Sequence, residues 1–198
     1  MWFLLAMIGL QGVARADTFE ESLVQARESI RAGDYRTAAK HLAVAEKAAP
    51  GSEQVVPSTL LATLWYYQGV VDHKTGYKQG PMDAWRQALV IDVEFDWDID
   101  VLDEGDPQSL FEALRSEVRG RARVDPVVPE ATGLAEVFVD GRQLFHGDDV
   151  FEGQHLAQIS CPDEQVFGIW TDFRRPVRWF KMCPGGVDVS QVADEGGS

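Results

Sequence analysis

The spacing of apolar residues changes once along this chain, and that change limits the fold more than any other feature of the sequence. From Thr18 to about Gly120 the apolar residues recur every three or four positions, the period of an amphipathic helix. From Ala135 onward they alternate with polar residues, the period of a strand. This order predicts an α+β protein of two domains, with helices first and a small antiparallel β-sandwich after them.

The helical half contains five amphipathic stripes with recognisable ends. Gly33 is placed to end the first helix and Asp34 to cap the second. Pro50 and Gly51 end the second stripe, and Pro81 begins the fourth. Asp106-Pro107 is an N-cap followed by a first-turn proline, which predicts the start of the fifth helix.

The first helical pair carries a spacing known from a repeat family. Ala26, Gly33, Asp34, Tyr35, Ala38, Leu42, Ala45 and Pro50 stand at the offsets of a helix–turn–helix unit of about 34 residues. A second, irregular copy starts about 43 residues later and aligns Gly69, Gly76, Ala88 and Leu89, with Pro81 where an alanine is usual. Residues 17–120 therefore resemble tetratricopeptide (TPR) repeats. The resemblance implies α-helical hairpin repeats whose concave face binds a peptide or protein partner; a plain helical bundle is the alternative.

Four aromatic residues of the helical half are candidates for binding such a partner. Trp65, Tyr66 and Tyr67 are consecutive, so they cannot all face one stripe of a helix, and at least one points away from the core. An exposed aromatic side chain can anchor a partner. Trp85 on the fourth helix completes the set. The alternative is that these aromatics contact the fourth helix or the second domain.

Eight carboxylates lie within the fifteen residues from Asp92 to Asp106, which we call the acidic segment. Acidic and apolar residues alternate in its first part, so an extended chain can lie against the helices with its acids in water. The apolar members are Val93, Phe95, Trp97 and Ile99. Asp96, Asp98 and Asp100 begin like a calcium-binding EF-hand loop, but Val101 stands where that loop needs glycine. These three aspartates are therefore only a weak metal candidate.

The β half begins with a strong hairpin signal. Asp140-Gly141 follows an alternating run, and both residues suit a two-residue turn. Further strands are predicted at residues 143–146, 153–159, 165–171 and 178–182. The sequence from Val137 to Gly141, the sequence from Phe151 to His155, and Ile159 resemble the PEGA domain, a small β-sandwich of bacterial envelope proteins. The tetrapeptide that names that family is replaced by Thr132-Gly133-Leu134-Ala135. The resemblance implies a binding or spacer role for residues 133–187, after a linker at 121–132.

Both cysteines lie in the β half. Cys161 and Cys183 most simply form one disulfide, which closes a loop of about 22 residues and stabilises so small a module by roughly 3 kcal/mol. The other hypothesis, half of a metal site, lacks closely spaced ligands.

The beginning of the sequence has the pattern of a secretory signal peptide. Residues 2–10 are an unbroken apolar run, and Ala14-Arg15-Ala16 supplies the small residues of a cleavage site before Asp17. An uncleaved anchor or a buried helix is the alternative. No later segment is apolar enough to cross a membrane. We expect an exported bacterial protein, periplasmic or at the cell surface, with residues 1–16 removed and 188–198 as a flexible tail.

The net charge of −14 argues against a nucleic-acid partner. One basic cluster interrupts the acidic composition, and its candidate ligand-binding residues are Arg174, Arg175, Arg178 and Trp179. They are suited to an anion or a glycan, although arginines in an acidic chain more often neutralise its own carboxylates.

The sequence contains no nucleophile elbow, zinc-protease motif or phosphate-binding loop, and its four histidines are dispersed. No catalytic residue and no cofactor is expected. The leading hypothesis is a non-catalytic scaffold that binds a peptide or protein partner in the bacterial cell envelope. The alternatives are an envelope module that binds glycan or calcium and, more weakly, an unrecognised hydrolase.

Overall fold

The computed structural model describes residues 17–98, 100–102, 105–130 and 135–185. The predicted signal peptide and the predicted tail at 188–198 lie outside the described residues. Three of the four residues that stand in the place of the PEGA tetrapeptide, 132–134, also lie outside them.

Five α-helices form the first half of the protein. They are α1 (Asp17–Arg31), α2 (Tyr35–Ala48), α3 (Ser58–Thr75), α4 (Gly80–Ile91) and α5 (Asp106–Arg119), with a short 3-10 helix at Ala49–Gly51. Gly33 and Gly76 adopt φ values of +75° and +78° after α1 and α3, a conformation that glycine tolerates. The Asp34 side chain accepts a hydrogen bond from the Thr37 N–H at 3.0 Å. The predicted end of α1 and the predicted cap of α2 are therefore confirmed.

The helices pack mainly as two hairpins, α1 with α2 and α3 with α4, and α5 packs against α4. Among the described residues, no helix has the length and apolar character needed to cross a bilayer.

Two antiparallel sheets form the second half. The smaller pairs β1 (Arg123–Val124) with β4 (Val150–Phe151). The larger has the order β3-β2-β5-β6 and contains β2 (Glu136–Val139), β3 (Arg142–Leu144), β5 (His155–Ser160) and β6 (Val166–Thr171). The α+β class is therefore confirmed, while neither sheet closes on itself.

The β2–β3 hairpin turns at Asp140-Gly141, as its sequence predicts. The φ values of these residues are +50° and +74°, and Val139 pairs with Arg142 across the two-residue turn. Gly141 also lies against the backbone of the segment that leads into α3, and a Cβ there would collide with the Val56 carbonyl oxygen. Glycine therefore serves both the turn and the contact between the helical and β halves.

The prediction of a strand at residues 178–182 is wrong. The chain forms a short 3-10 helix at Trp179–Lys181 instead. Phe173 has a φ of +54°, which bends the chain after β6, and Pro176 has no N–H to offer a ladder. The 3-10 helix places Trp179 in the β core, where the side chain is 2% exposed.

A disulfide joins Cys161, just after β5, to Cys183, just after this 3-10 helix, with a Cα–Cα distance of 5.8 Å. It fastens the irregular end of the described β half to the central strand of the larger sheet.

The larger sheet is a layer with one core on each side. In β5, Ala157 and Ile159 belong to the β core, while Leu156 belongs to the helical core. Successive side chains of a strand point to opposite faces, so β5 buries both of its faces. Trp170 of β6 also packs against the helical core, and its Nε1 donates to the Glu46 carbonyl oxygen at 3.0 Å.

Candidate functional site

None of the four candidate aromatic side chains is exposed. Tyr66 and Trp85 are completely buried, and Tyr67 is nearly so. Trp65 is half-buried and meets Trp170 of the β half edge to face, with ring centroids 6.1 Å apart. The structure therefore places these residues in packing contacts between helices or between the halves, and leaves no aromatic anchor on the surface at these positions.

Trp85 owes its position to a small residue on the neighbouring helix. A Cβ at Gly69 of α3 would collide with the Trp85 indole, so glycine lets α3 and α4 approach closely here. The Trp85 Nε1 donates to the Tyr66 carbonyl oxygen at 3.2 Å. Trp85 thus links α4 to α3 rather than facing a partner.

The described part of the acidic segment lies across the helices with Val93, Phe95 and Trp97 packed against the helical core. The Trp97 ring is 5.4 Å from the Tyr66 ring and 5.5 Å from the Phe111 ring, measured between centroids. Phe95 packs beside it, 5.5 Å from the Tyr66 ring. The helical face that holds these aromatics is formed by α3, α4 and α5 together.

The carboxylates of the acidic segment meet arginines of α1. Arg31 Nη2 is 2.6 Å from Asp100 Oδ2, and Arg27 Nη2 is 3.1 Å from the same oxygen. Arg27 Nη2 is also 3.3 Å from Asp98 Oδ2. Within the described residues there is no group of three or more His, Cys, Asp or Glu side chains arranged to hold a metal ion. Two of the three weak calcium candidates thus face guanidinium groups, and the third, Asp96, is exposed.

Arginines of α5 hold the beginning of the same segment. The Arg115 guanidinium is buried and donates to the carbonyl oxygens of Val93 and Phe95, the second at 2.8 Å. Arg119 Nη2 is 2.8 Å from Glu94 Oε1. Helix α5 therefore binds both backbone and side chain at the beginning of the acidic segment, and α1 binds side chains further along it.

Two tyrosine hydroxyls of α3 donate to Asp98. Tyr66 Oη donates to the Asp98 carbonyl oxygen and Tyr67 Oη to its Oδ2, both at 3.2 Å. Burial raises the pKa of Tyr67 to about 12, and the nearby Asp98 charge adds to the effect. The pKa of Tyr66 is raised for the same two reasons. Both hydroxyls therefore keep their protons and act as donors throughout the physiological pH range.

The four arginines that hold the acidic segment were not among the candidate residues of the sequence, whereas Tyr66 and Tyr67 were. Arg27 and Arg31 are four positions apart on α1, beside its apolar stripe, which is the spacing of neighbours on one helix face. Arg115 and Arg119 repeat this spacing on α5. Two such arginine pairs flanking a run of alternating acids are the signal that could have indicated the contact.

The basic cluster is divided by the structure. Trp179 is buried in the β core, so it offers no open surface beside Arg178. Arg174 and Arg175 instead line a cleft of about 740 Å³ where the helical and β halves meet. We call this the junction cleft; its other lining residues include Arg121, Glu152, Trp170 and Asp172. Arg174 Nε is 3.1 Å from Asp172 Oδ2, so part of the positive charge is neutralised within the cleft.

His155 and Asp140 form the only histidine–carboxylate contact between buried side chains in the described part of the chain. His155 Nδ1 is 2.5 Å from Asp140 Oδ2, and the Asp140 Oδ1 accepts the Leu156 N–H at 2.9 Å. A catalytic base would need the second ring nitrogen free for a nucleophile. Here His155 Nε2 is 2.7 Å from the Phe151 carbonyl oxygen. The pair therefore fastens the β2–β3 turn to β5.

No protein-family model, curated protein or solved structure matches this chain. The TPR and PEGA resemblances therefore rest on the residues that carry them, and the function is inferred from the contacts within the chain itself.

Proposed function

We propose that this chain is a non-catalytic, exported scaffold protein that binds a peptide or protein partner through its helical half. The helices α1, α3, α4 and α5 all contact the acidic segment. Of these, α1, α3 and α5 would correspond to the first helix of each unit in an irregular TPR-like array. The β half, which we propose to be PEGA-like, would supply a rigid second layer.

One observation carries this proposal: the helical face already binds an irregular segment of its own chain, in which residues 95–98 lie between two short turns. Tyr66 and Tyr67 donate to that segment, the Arg115 guanidinium binds its backbone carbonyls, and two arginines of α1 meet its carboxylates. A surface that binds both the backbone and the side chains of an irregular segment has the contacts that peptide recognition requires.

Export and a place in the bacterial envelope are supported by the signal-like start of the sequence and by the disulfide. Disulfides persist in oxidising compartments outside the cytoplasm. The non-catalytic part of the proposal is supported by the structural use of His155 and Asp140.

Site-specific photo-cross-linking tests the scaffold proposal. Val24 is 54% exposed and lies on the same side of α1 as Arg27 and Arg31. A photoreactive residue at Val24, in the full chain expressed in its native envelope, should give a discrete adduct. The captured protein, once purified, should bind the wild-type chain saturably.

Val44 provides the matched control because it is an exposed valine of the neighbouring helix α2. It should not give the same adduct. Absence of an adduct at Val24, or the same adducts at both positions, would count against the helical half as the binding surface.

The junction cleft supports a second function, the binding of an anionic envelope glycan. Arg121, Arg174 and Arg175 line the cleft together, and the rim of the half-buried Trp170 adds an aromatic surface. Three guanidinium groups face two carboxylates there, so the cleft is cationic on a strongly acidic protein.

Calorimetric titration with a uronic acid tetrasaccharide tests this function. Arg121→Gln and Arg175→Gln should each weaken binding, whereas Arg178→Gln should not, because Arg178 does not line the cleft. Equal losses from all three variants would indicate attraction to overall charge, and absence of binding would remove the hypothesis.

A further inference from the structure

Four arginines lie on the helical face that holds the acidic segment, and one of them, Arg115, is also paired with Glu112 at 2.9 Å. Arg27 and Arg31 lie at one end of the bound segment, and Arg115 and Arg119 lie at the other. Between them stand the Tyr66 and Tyr67 hydroxyls and the aromatic surface that receives Trp97. This arrangement matches a ligand segment that presents acids on one side and aromatic residues on the other.

The segment that now occupies this face leaves one donor unused. Arg27 reaches both Asp98 and Asp100 with the single nitrogen Nη2, at 3.3 and 3.1 Å. Its Nε is buried and has no hydrogen-bond acceptor among the described residues. A guanidinium binds a carboxylate best through two nitrogens at once, and a buried donor without an acceptor costs stability. The present occupant is therefore an incomplete ligand for α1.

The ionic contacts of the segment are also weak as holding forces. The Asp100 and Arg31 side chains are about half exposed, and ion pairs at such exposure contribute little because water screens them. The aromatic contacts of Phe95 and Trp97 hold the segment more firmly. A ligand with its own aromatic residues and a better-placed carboxylate can make equally good aromatic contacts and stronger ionic contacts.

From these contacts, and resting on the scaffold function proposed above, we infer that the partner presents a segment in which acidic and aromatic residues alternate. That segment binds the face of α1, α3, α4 and α5 in place of the acidic segment, which acts as the resident competitor. The partner's carboxylate engages Arg27 Nε and Nη2 together. An aromatic side chain of the partner takes the place of Trp97 between Tyr66 and Phe111.

A synthetic fluorescent peptide with the sequence of residues 92–102 tests this inference in the full chain. Trp97→Ala removes the main aromatic contact of the resident segment and should bind the peptide about tenfold more tightly than the wild type, because competition within the chain falls. The bound peptide should also raise the Tm of this variant. A scrambled peptide of equal composition should do neither.

Asp100→Asn provides a second variant, since it loosens the segment without touching the core and keeps the test decisive if Trp97→Ala does not fold. It should bind the peptide several-fold more tightly than the wild type. Adding Arg27→Gln and Arg31→Gln should weaken peptide binding to either variant several-fold, because the aromatic contacts remain. The double variant Arg36→Gln, Lys40→Gln removes two positive charges from exposed residues of α2; it is the charge-matched control and should leave binding unchanged.

Three results would overturn the inference. The first is that no variant binds the peptide. The second is that the scrambled peptide binds equally well, which would reduce the contact to charge alone. The third is that Asp100→Asn forms a dimer in sedimentation analysis, which would make a second copy of the chain the occupant. If peptide binding fails while the Val24 adduct persists, the ligand class is wrong and the scaffold function stands; if both fail, neither stands.

Discussion

Two aspartates of the helical half titrate in opposite directions on folding because their surroundings differ. Asp72 is half-buried near the end of α3, and this burial raises the pKa of its carboxyl, although a hydrogen bond from Gln68 at 2.8 Å opposes the shift. Asp34 is exposed at the start of α2, and the hydrogen bond from Thr37 lowers the pKa of its carboxyl. A raised pKa means that the charged form is disfavoured by folding, and a lowered pKa means the reverse.

Asp72→Asn is expected to stabilise the protein at neutral pH. Above the raised folded pKa, Asp72 is ionised in both states, and its buried charge lowers the free energy of unfolding of the wild type. Below the ordinary value of 3.8 the carboxyl is protonated in both states, and this destabilisation disappears. The Asn side chain keeps an oxygen for Gln68 and removes the charge. Thermal melts should show a higher Tm for the variant at pH 7 and equal values near pH 3. A lower Tm for the variant at pH 7 would show that the ionised Asp72 stabilises the fold.

Asp34→Ala is expected to show the opposite dependence on pH. The ionised Asp34 contributes stability above its unfolded pKa, and this contribution is lost as the pH falls through the lower folded pKa. The variant should melt at a lower temperature than the wild type at pH 7, and the difference should shrink in acid. Asp34→Asn serves as the control because asparagine is an equally good N-cap. If Asp34→Asn lowered the melting temperature as much as Asp34→Ala, loss of the N-cap hydrogen bond would not be the cause of the destabilisation.

At the scale of elements, the sequence predicts the helices and the hairpin well because their ends are encoded locally. Gly33 and Asp34 end one helix and cap the next, and Asp140-Gly141 turns the hairpin. The 3-10 helix at Trp179–Lys181 was predicted as a strand because its aromatic residues have high strand propensity. Its actual form is set by the bend at Phe173 and by the β core that receives Trp179, and neither is visible in a local pattern.

In the acidic segment too, the local sequence predicts one feature of the structure, while contacts between residues distant in sequence determine another. Its alternating pattern correctly predicts an apolar face against the helices, where Phe95 and Trp97 now pack. The pattern does not say which helices receive that face. The pairing of Asp100 with Arg27 and Arg31 joins residues about 70 positions apart, so only the three-dimensional packing of α1 beside α3 brings them together.

The disulfide is expected to be the largest single contribution to the stability of the β half. Its loop spans 22 residues, for which the loop-entropy model gives roughly 3 kcal/mol. The double variant Cys161→Ser, Cys183→Ser should lose about that much free energy of unfolding in urea titrations. A thiol reductant should lower the free energy of unfolding of the wild type by a similar amount and leave that of the double variant unchanged. Unaltered stability in the double variant would show that the cross-link is dispensable.

At the scale of the whole molecule, the larger sheet joins the helical and β halves. Gln158 of β5 is completely buried and its Oε1 accepts the Val56 N–H at 3.0 Å. A polar residue in an alternating strand is expected to point into water. The period of two distinguishes the two faces of a sheet but does not show what covers each face. The hydrogen bond between Gln158 and Val56 was therefore beyond what the strand pattern can predict. Contact of Trp65 with the second half was one of the two alternatives that the sequence left open, and Trp170 is its partner there.

Gln158→Leu is expected to destabilise both halves together. The substitution leaves the buried Val56 N–H without an acceptor, which costs about 1–3 kcal/mol. Urea unfolding should shift to lower concentration by the same amount whether it is followed by helical circular dichroism or by tryptophan fluorescence. Gln143→Leu, at an exposed glutamine of β3, is the matched control and should change little. Separate transitions for the two signals in the wild type would show that the halves unfold independently.

The double burial of β5 also restricts how this chain can vary in length. One residue inserted ahead of Leu156 would rotate every following side chain of the strand to the opposite side. Ala157 and Ile159 would then be turned towards the helices, and Leu156 and Gln158 towards the β core, so two hydrophobic layers would be mispacked by a single event. Homologues should therefore vary in length within surface loops while keeping an invariant number of residues from Gly153 to Cys161.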